Sequence, residues 1–439
     1  MKIARRRWWI YLLLFVLVMI NYMDRTALSV AVGPIQKELN LSSTQVGLML
    51  SAFLWSYLLF LIPSGILTDR FGPRVVNAVS IVVWSLATML VGIVRGFGGL
   101  IGARLLMGVG ESSTYPAAGR VLREWAPASE RGRAASIYNS GAYAGPALGA
   151  ILAAALITSF GWQTMFVIMG ALGFIWLGAW LIWFRDPSKA TWLSGPERAM
   201  ILEERKVPGE QPQEGKPTGG VLSLLRYRSM WGVALVQSAA VYTQYLFLTW
   251  LPGYLEQVHH LSIMKSGLFT AVPYIVAVLA GIGLGIVFDR GLKRHAQSTA
   301  RRRYIVAACL LASSVVLLTP FFSDVTVILI LISISMTCIS TTVSMNLALL
   351  GDLLRSRHLA GRANSIAMIG GNTFGAAAPI VTGYIVDTTH SYNSAFVVAG
   401  IFLLAGVVVA LTLPRHPIGD EESAHAHGFD DAIAAPVAQ

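Results

Sequence analysis

The sequence predicts an all-α membrane protein with twelve transmembrane helices in two pseudo-symmetric six-helix bundles. Three observations carry that prediction. The 439 residues are 55% hydrophobic and only 13% charged, where a soluble domain carries about 25% charged residues. Apolar runs of about 20 residues recur along the chain, each enough to cross about 30 Å of hydrocarbon at 1.5 Å per residue. Motifs of the first half also return, in order, in the second.

The apolar runs fall near 8–33, 44–68, 74–95, 98–122, 134–158 and 162–184, and then near 230–254, 265–288, 303–322, 325–350, 362–387 and 393–413. The first bundle is therefore 1–184 and the second 229–414. Between them, 185–228 reads as a linker: PERAMILEERK has the pattern of a short amphipathic surface helix, and Pro208 to Gly220 is rich in Pro, Gly and Glu. The tail 415–439, with EESAHAHGFDD, reads as disordered. KIARRR followed by an apolar run resembles a signal peptide, but no small-residue cleavage site follows, so the run reads as an uncleaved first span.

The formal net charge of +11 is not a nucleic-acid signal, because Lys and Arg gather in the short hydrophilic loops. One side of the bundle receives Lys2, Arg5, Arg6, Arg7, Arg70, Arg74, Arg123, Arg131, Arg133, the linker, Arg290 through Arg303, Arg355, Arg357 and Arg362. The other receives little beyond Lys37, Arg95 and Lys265. Both termini and the linker are therefore expected on the cytoplasmic side. Cys309 and Cys338 lie inside apolar runs and read as small packing residues, with no disulfide expected.

Three segments repeat. Gly132-Arg-Ala-Ala-Ser-Ile137 returns as Gly361-Arg-Ala-Asn-Ser-Ile366. GWQTMFVIMGALG from Gly161 is echoed by SYNSAFVVAGIFL from Ser391, and GILTDRFGPR (Gly65–Arg74) by GIVFDRGLKR (Gly285–Arg294).

Asp24 and Arg25 interrupt the first span, and Arg104 and Glu111 lie in the fourth. A charge in hydrocarbon costs several kcal/mol unless it is paired or faces water, so such residues read first as functional. Arg104 and Glu111 are seven apart, about 10 Å along one helix face. Arginine presents a planar fork to a carboxylate and stays charged. Two acids and two arginines together read as an anion site coupled to protons. An anion that captures an arginine would leave a buried acid without its partner, and that acid would take up a proton.

Gly65-x-x-x-Asp69-Arg70-x-Gly72-x-Arg74, between spans two and three, resembles the signature loop of the major facilitator superfamily. The expectation is that Gly65 lets two helices approach closely. Asp69 is expected to pair across the half interface or cap a neighbouring helix as a latch, with Arg70, Gly72 and Arg74 completing the motif and Asp289 and Arg290 as its second copy. NYMDR, RLLMGVGESSTYPAAGRVLREWAPASERGRAASIYNSGAYAG and YLFLTWLPGYL resemble, more narrowly, the anion:cation symporter family. Its members include bacterial sugar-acid permeases, sialin and the vesicular glutamate transporters. The resemblance implies that Arg25 is the principal contact for a substrate carboxylate and that Asp24 and Glu111 carry protons. It further implies that Arg104 is a charge partner and that Tyr57 and Tyr22 supply hydroxyls, with Asn372 a further contact.

Two departures bear on the substrate. Where the sugar-acid permeases carry Gln in the fifth span and Asn in the eleventh, this chain has Ala142 and Met368. Gln237, Tyr242, Gln244, Tyr245, Tyr274 and Asn346 are candidates to compensate from the second half, though each also suits helix packing. Gly145-Pro146-Ala-Leu-Gly149 resembles a motif of drug/proton antiporters but reads as close helix packing.

The expected activity is proton-coupled symport of a carboxylate organic anion, a sugar acid or an aromatic carboxylate, by a monomer in the bacterial inner membrane. Anion exchange, drug/proton antiport and anion sensing stand as alternatives. No nucleotide-binding loop or nucleophile motif is visible in the sequence, so neither ATP-driven transport nor an enzyme is expected. No cofactor is expected beyond the coupling proton.

Overall fold

The computed structural model describes residues 6–127, 130–205, 221–292, 298–355 and 359–419. Of the tail expected to be disordered at 415–439, residues 415–419 are described, with Ile418 buried and its amide on the Leu353 carbonyl at 2.8 Å, and 420–439 lie outside the described residues. In chain order the helices are α1 (Trp8–Val30), α2 (Val32–Leu39), α3 (Ser43–Ile93), α4 (Phe97–Glu111), α5 (Thr114–Trp125), α6 (Arg131–Trp183), α7 (Gly195–Arg205), α8 (Val221–Leu224), α9 (Arg228–Gln257), α10 (Ile263–Leu292), α11 (Ser298–Ser313), α12 (Val325–Leu353), α13 (Ala360–Thr389) and α14 (Asn393–Thr412).

Two elements are double-length. α3 has 51 residues and α6 has 53, each about 75 Å if straight and far beyond one bilayer crossing. Each reverses at one glycine, Gly72 (φ 80°) in α3 and Gly161 (φ 81°) in α6. Only glycine adopts that backbone without strain. The second half makes the turn equivalent to Gly161 at His390, left-handed at φ 52°, between α13 and α14. Counting α3 and α6 twice, α4 with α5, and α11 with the 3-10 turn Ser314–Phe321, the bundle has twelve spans. The fourth span is interrupted at Ser112–Ser113 and the ninth ends in that 3-10 turn, breaks that continuous hydropathy concealed.

The halves clasp at the end where α3 begins. A Cβ on Gly47 would lie 2.4 Å from the Pro379 carbonyl oxygen, and one on Gly383 would lie 2.2 Å from that of Ser43, so only glycine admits this approach of α3 and α13. Ser51 Oγ donates to the Ala376 carbonyl at 2.6 Å. Gly267 of α10 packs as tightly on Ala150 and Ala154 of α6. About four helical turns along from Gly47 and Gly383, the same sides of α3 and α13 are uncovered: Ile62 is 65% exposed and Ile369 40%. The cleft is closed at the Ser43 end and open toward the Gly72 end.

Residues 185–205, expected as linker, pack onto the first half. Leu193 and Ile201 join a core with Trp125 and Trp180. Arg7 bridges Glu130 at 2.8 Å and the fully buried Glu197 at 2.9 Å. Held by both carboxylates, Arg7 has its pKa raised.

Candidate functional site

α4 positions the fourth-span charges. Gly108 brings its backbone against α3, where a Cβ would sit 2.1 Å from the Phe53 carbonyl oxygen. This close packing carries Arg104 and Glu111, both buried, into the centre of the first half, opposite Asp24 and Arg25 of α1.

Arg25 is the hub. Its Nε and one terminal nitrogen donate to a single oxygen of Glu111, at 3.0 and 2.7 Å. The other terminal nitrogen donates to the Tyr245 hydroxyl of α9 at 3.1 Å. One guanidinium thus ties the two halves together. Its carbon also lies 4.5 Å from the ring centre of Tyr22, 4.7 Å from Phe53 and 5.5 Å from Tyr57. Aromatic faces hold a cation there without neutralising it.

Arg104 shares Phe53, its guanidinium carbon also 4.7 Å from that ring. One terminal nitrogen rests on the Met107 sulfur at 2.8 Å, and Nε has no hydrogen-bond partner. The expected partnership of Arg104 with an acid is not made in this conformation. Asp24 is equally unengaged: both of its oxygens are buried without a hydrogen-bond partner, as are both polar atoms of Asn21 one turn earlier and the second oxygen of Glu111. Glu111, Arg104, Thr88 and Arg25 are the polar and charged groups around Asp24. Adjacent in sequence, Asp24 and Arg25 point about 100° apart around α1, so the arginine reaches Glu111 and the second half while the acid stays inside the first.

The remaining predicted residues divide. The Tyr22 hydroxyl lies 3.4 Å from that of Tyr115. Asn372 turns its amide back onto the Met368 carbonyl at 2.9 Å and makes no hydrogen bond to the charge cluster among the described residues. Gln237 and Asn346 bond to each other at 3.0 Å, a packing role. Tyr242 packs edge-on against Phe402, and the buried Tyr274 hydroxyl has no partner. Gly145 and Gly149 pack α6 onto Met19 and Met23 of α1, as the packing reading expected.

The signature loop needs two corrections. A Cβ on Gly65 would meet nothing within 4 Å, so Gly65 mediates no close helix approach here; Gly72 makes the turn instead. Among the described residues Asp69 makes no contact with the other half. Its side chain is 77% exposed and lies 3.9 Å from Arg120 of α5, which also donates to the Thr68 and Asp69 carbonyls and to Glu124. Arg74 holds the Leu181 carbonyl at 2.8 Å, and Arg70 lies over the Phe71 ring. Asp289 and Arg290 fall on α10, but their side chains lie outside the described residues.

Sequence reasoning missed Phe53, Asn21 and Arg120. Asn21 was within reach, since it shares a face with Asp24 at i, i+3. Phe53 was not, because one aromatic in a membrane span carries no distinguishing pattern.

With this geometry in hand, comparison with known proteins is specific. The family described as Major Facilitator Superfamily matches residues 14–357 and 294–437. The "Probable L-galactonate transporter" of Escherichia coli (strain K12) is 32% identical over 410 residues, covering 93% of this chain and 89% of that protein. The "Probable galactarate/D-glucarate transporter GarP" of the same organism is 31% identical over 427 residues, covering 93% and 95%. The "Hexuronate transporter" of Bacillus subtilis (strain 168) is 28% identical over 419 residues, also covering 93% and 95%. Among solved structures, a bacterial homologue of the human lysosomal transporter Spinster superposes with a TM-score of 0.70 at 16% identity, covering 93% of this chain and 96% of that one. The D-xylose-proton symporter does so with 0.70 at 13%, covering 93% and 98%. The chain belongs to the Major Facilitator Superfamily, as a multi-pass membrane transporter, not an enzyme, related to the sugar-acid transporters.

Proposed function

We propose that this transporter moves a carboxylate organic anion of the sugar-acid class together with protons, by alternating access. The observation that carries the reading is Arg25, a buried guanidinium shared between Glu111 of the first half and Tyr245 of the second. A substrate carboxylate arriving through the open end competes with Glu111 for the same fork. When it wins, Glu111 is left buried without its partner, and an unpaired carboxylate there takes a proton rather than keep its charge. Asp24, with both oxygens unengaged, is the second proton carrier. Arg104, which shares the Phe53 ring with Arg25, supplies a further positive charge. Because Arg25 also holds Tyr245, rearranging its bonds alters a contact between the halves, which couples binding to rocking. The Lys and Arg bias supports placing the open Gly72 end in the cytoplasm, and the bacterial relatives support an inner-membrane location.

Ala142 and Met368 supply no polar group to the substrate. Tyr22, Tyr57, Tyr115 and Tyr245 surround or adjoin Arg25 instead. Tyrosine hydroxyls suit a hydroxylated acid while their rings tolerate a less polar one.

The test is uptake into proteoliposomes with radiolabelled galactonate, glucarate or glucuronate. An inward proton gradient accelerates uptake several-fold under this reading. Uptake indifferent to the gradient and strictly dependent on internal anion establishes exchange instead.

A further inference from the structure

The back of α1 presents a second site. Val16 precedes Arg25 by nine residues, 180° around the helix, so the face centred on Val16 looks away from the transport cleft. Along that face, α1 and the second arm of α6 enclose an open groove of about 760 Å³. Trp9, Leu12, Val16, Ile175, Trp176 and Trp183 line it. From Arg6 at one end to Met23 at the other it runs about 25 Å along α1, longer than one leaflet of hydrocarbon, about 15 Å.

Its two ends differ chemically. The Met23 end is apolar. The other ends at the exposed Arg6, with Trp9, Trp183 and Trp192 around it. Tryptophans at one level of a membrane protein mark the headgroup interface. Arg6 spends one terminal nitrogen on the Trp192 carbonyl at 2.7 Å; its other side-chain donors have no partner among the described residues. The nearby acid, Glu197, is already held by Arg7, and Asp186 is occupied with Ser188. The stretch between the lining residues Trp183 and Trp192 adds exposed Arg185 and Lys189. The mouth is therefore cationic and the interior apolar.

We propose that this groove binds one anionic phospholipid, with an acyl chain between α1 and α6 and its phosphate on Arg6. A cationic mouth complements a net negative headgroup. A zwitterionic headgroup brings its own cation to the same place and gains less. The site lies on the same helix as Arg25, on the opposite face, and stands independently of what is transported.

Native mass spectrometry of the full-length protein in detergent tests it, using equimolar dioleoylphosphatidylglycerol and dioleoylphosphatidylcholine. The wild-type protein retains phosphatidylglycerol in about fivefold preference, the scale expected for one basic side chain at an anionic headgroup. Arg6→Ala brings the preference to parity, and Arg6→Lys restores most of it. Ala179→Trp fills the groove and releases the retained lipid altogether; Ile175→Trp, at a 71% exposed position, does the same should the first variant fail to fold. Free glycerol phosphate does not displace the lipid. Unchanged preference in Arg6→Ala, lipid retention in both tryptophan variants, displacement by glycerol phosphate, or a second protein copy retained in place of lipid each overturns the proposal.

Discussion

Arg25 gives two of its hydrogen bonds to one oxygen of Glu111, and leaves the other oxygen buried with no partner. The pair is off-centre: a fork that fits both oxygens of a carboxylate is engaged on one. A bidentate substrate carboxylate uses that fork more fully, which is how a transported anion displaces an acid of the protein. Glu111→Gln keeps the shape and removes the titrating group. Counterflow of labelled substrate is expected within a few-fold of wild type, while proton-driven accumulation falls at least tenfold. Equal loss of both makes Glu111 a structural partner only.

Asp387 of α13 caps the start of α3 from the opposite half. It accepts from the Ser43 and Thr44 amides at 2.8 and 2.7 Å and from the Thr44 hydroxyl. A carboxylate at a helix N-terminus that satisfies free amides contributes about 1 kcal/mol or more. It is made only while this end is closed. Asp387→Ala therefore shifts the population about five- to tenfold toward opening of the Ser43 end. Spin labels at Lys37 and Asn393, after replacement of Cys309 and Cys338, read this out as growth of a longer distance peak. An unchanged distribution removes Asp387 from the gate.

Arg7 holds Glu197, whose side chain is fully buried. Arg7→Ala strands that carboxylate, and breaking a buried pair from one side costs about 3–5 kcal/mol. A drop of several degrees in the thermal unfolding midpoint is expected, partly recovered in Arg7→Lys, which keeps the charge but not the two-way fork. A midpoint within one degree of wild type means the linker segment detaches without consequence.

Gly65→Ala separates the motif from the geometry. A Cβ there meets nothing, and alanine is favoured over glycine within a helix by about 1 kcal/mol. The variant is expected to be as stable as wild type or slightly more so by thermal unfolding. Marked destabilisation contradicts the open environment seen around this position.

What the sequence made legible was whatever repeats or interrupts a pattern. The spans, the pairing of the Gly161 segment with the Ser391 segment, and the four charges were visible as repeats or as breaks in hydropathy; the reversals at Gly161 and His390 were not. Contacts between distant segments were not. Asp387 meets Thr44 across 343 residues, and Glu197 meets Arg7 across 190; in sequence each is one acid at the end of an ordinary helix. Glu197 read as the polar face of a surface helix because Arg7, which holds it, lies before the first span. The signature motif misled at Gly65 and Asp69 because a motif names residues without naming the conformation in which they touch. Tyr245 was one of six polar candidates in the second half, and only the fold distinguished it by bringing it to Arg25.

The central claim is that Arg25 holds the substrate carboxylate. The most direct measurement is thermal stabilisation of purified protein by a panel of galactonate, glucarate, glucuronate, benzoate and succinate, in wild type and in Arg25→Ala. The account predicts that at least one acid raises the wild-type midpoint by several degrees and leaves Arg25→Ala unmoved at the same concentration. An acid that stabilises Arg25→Ala as strongly as wild type contradicts it.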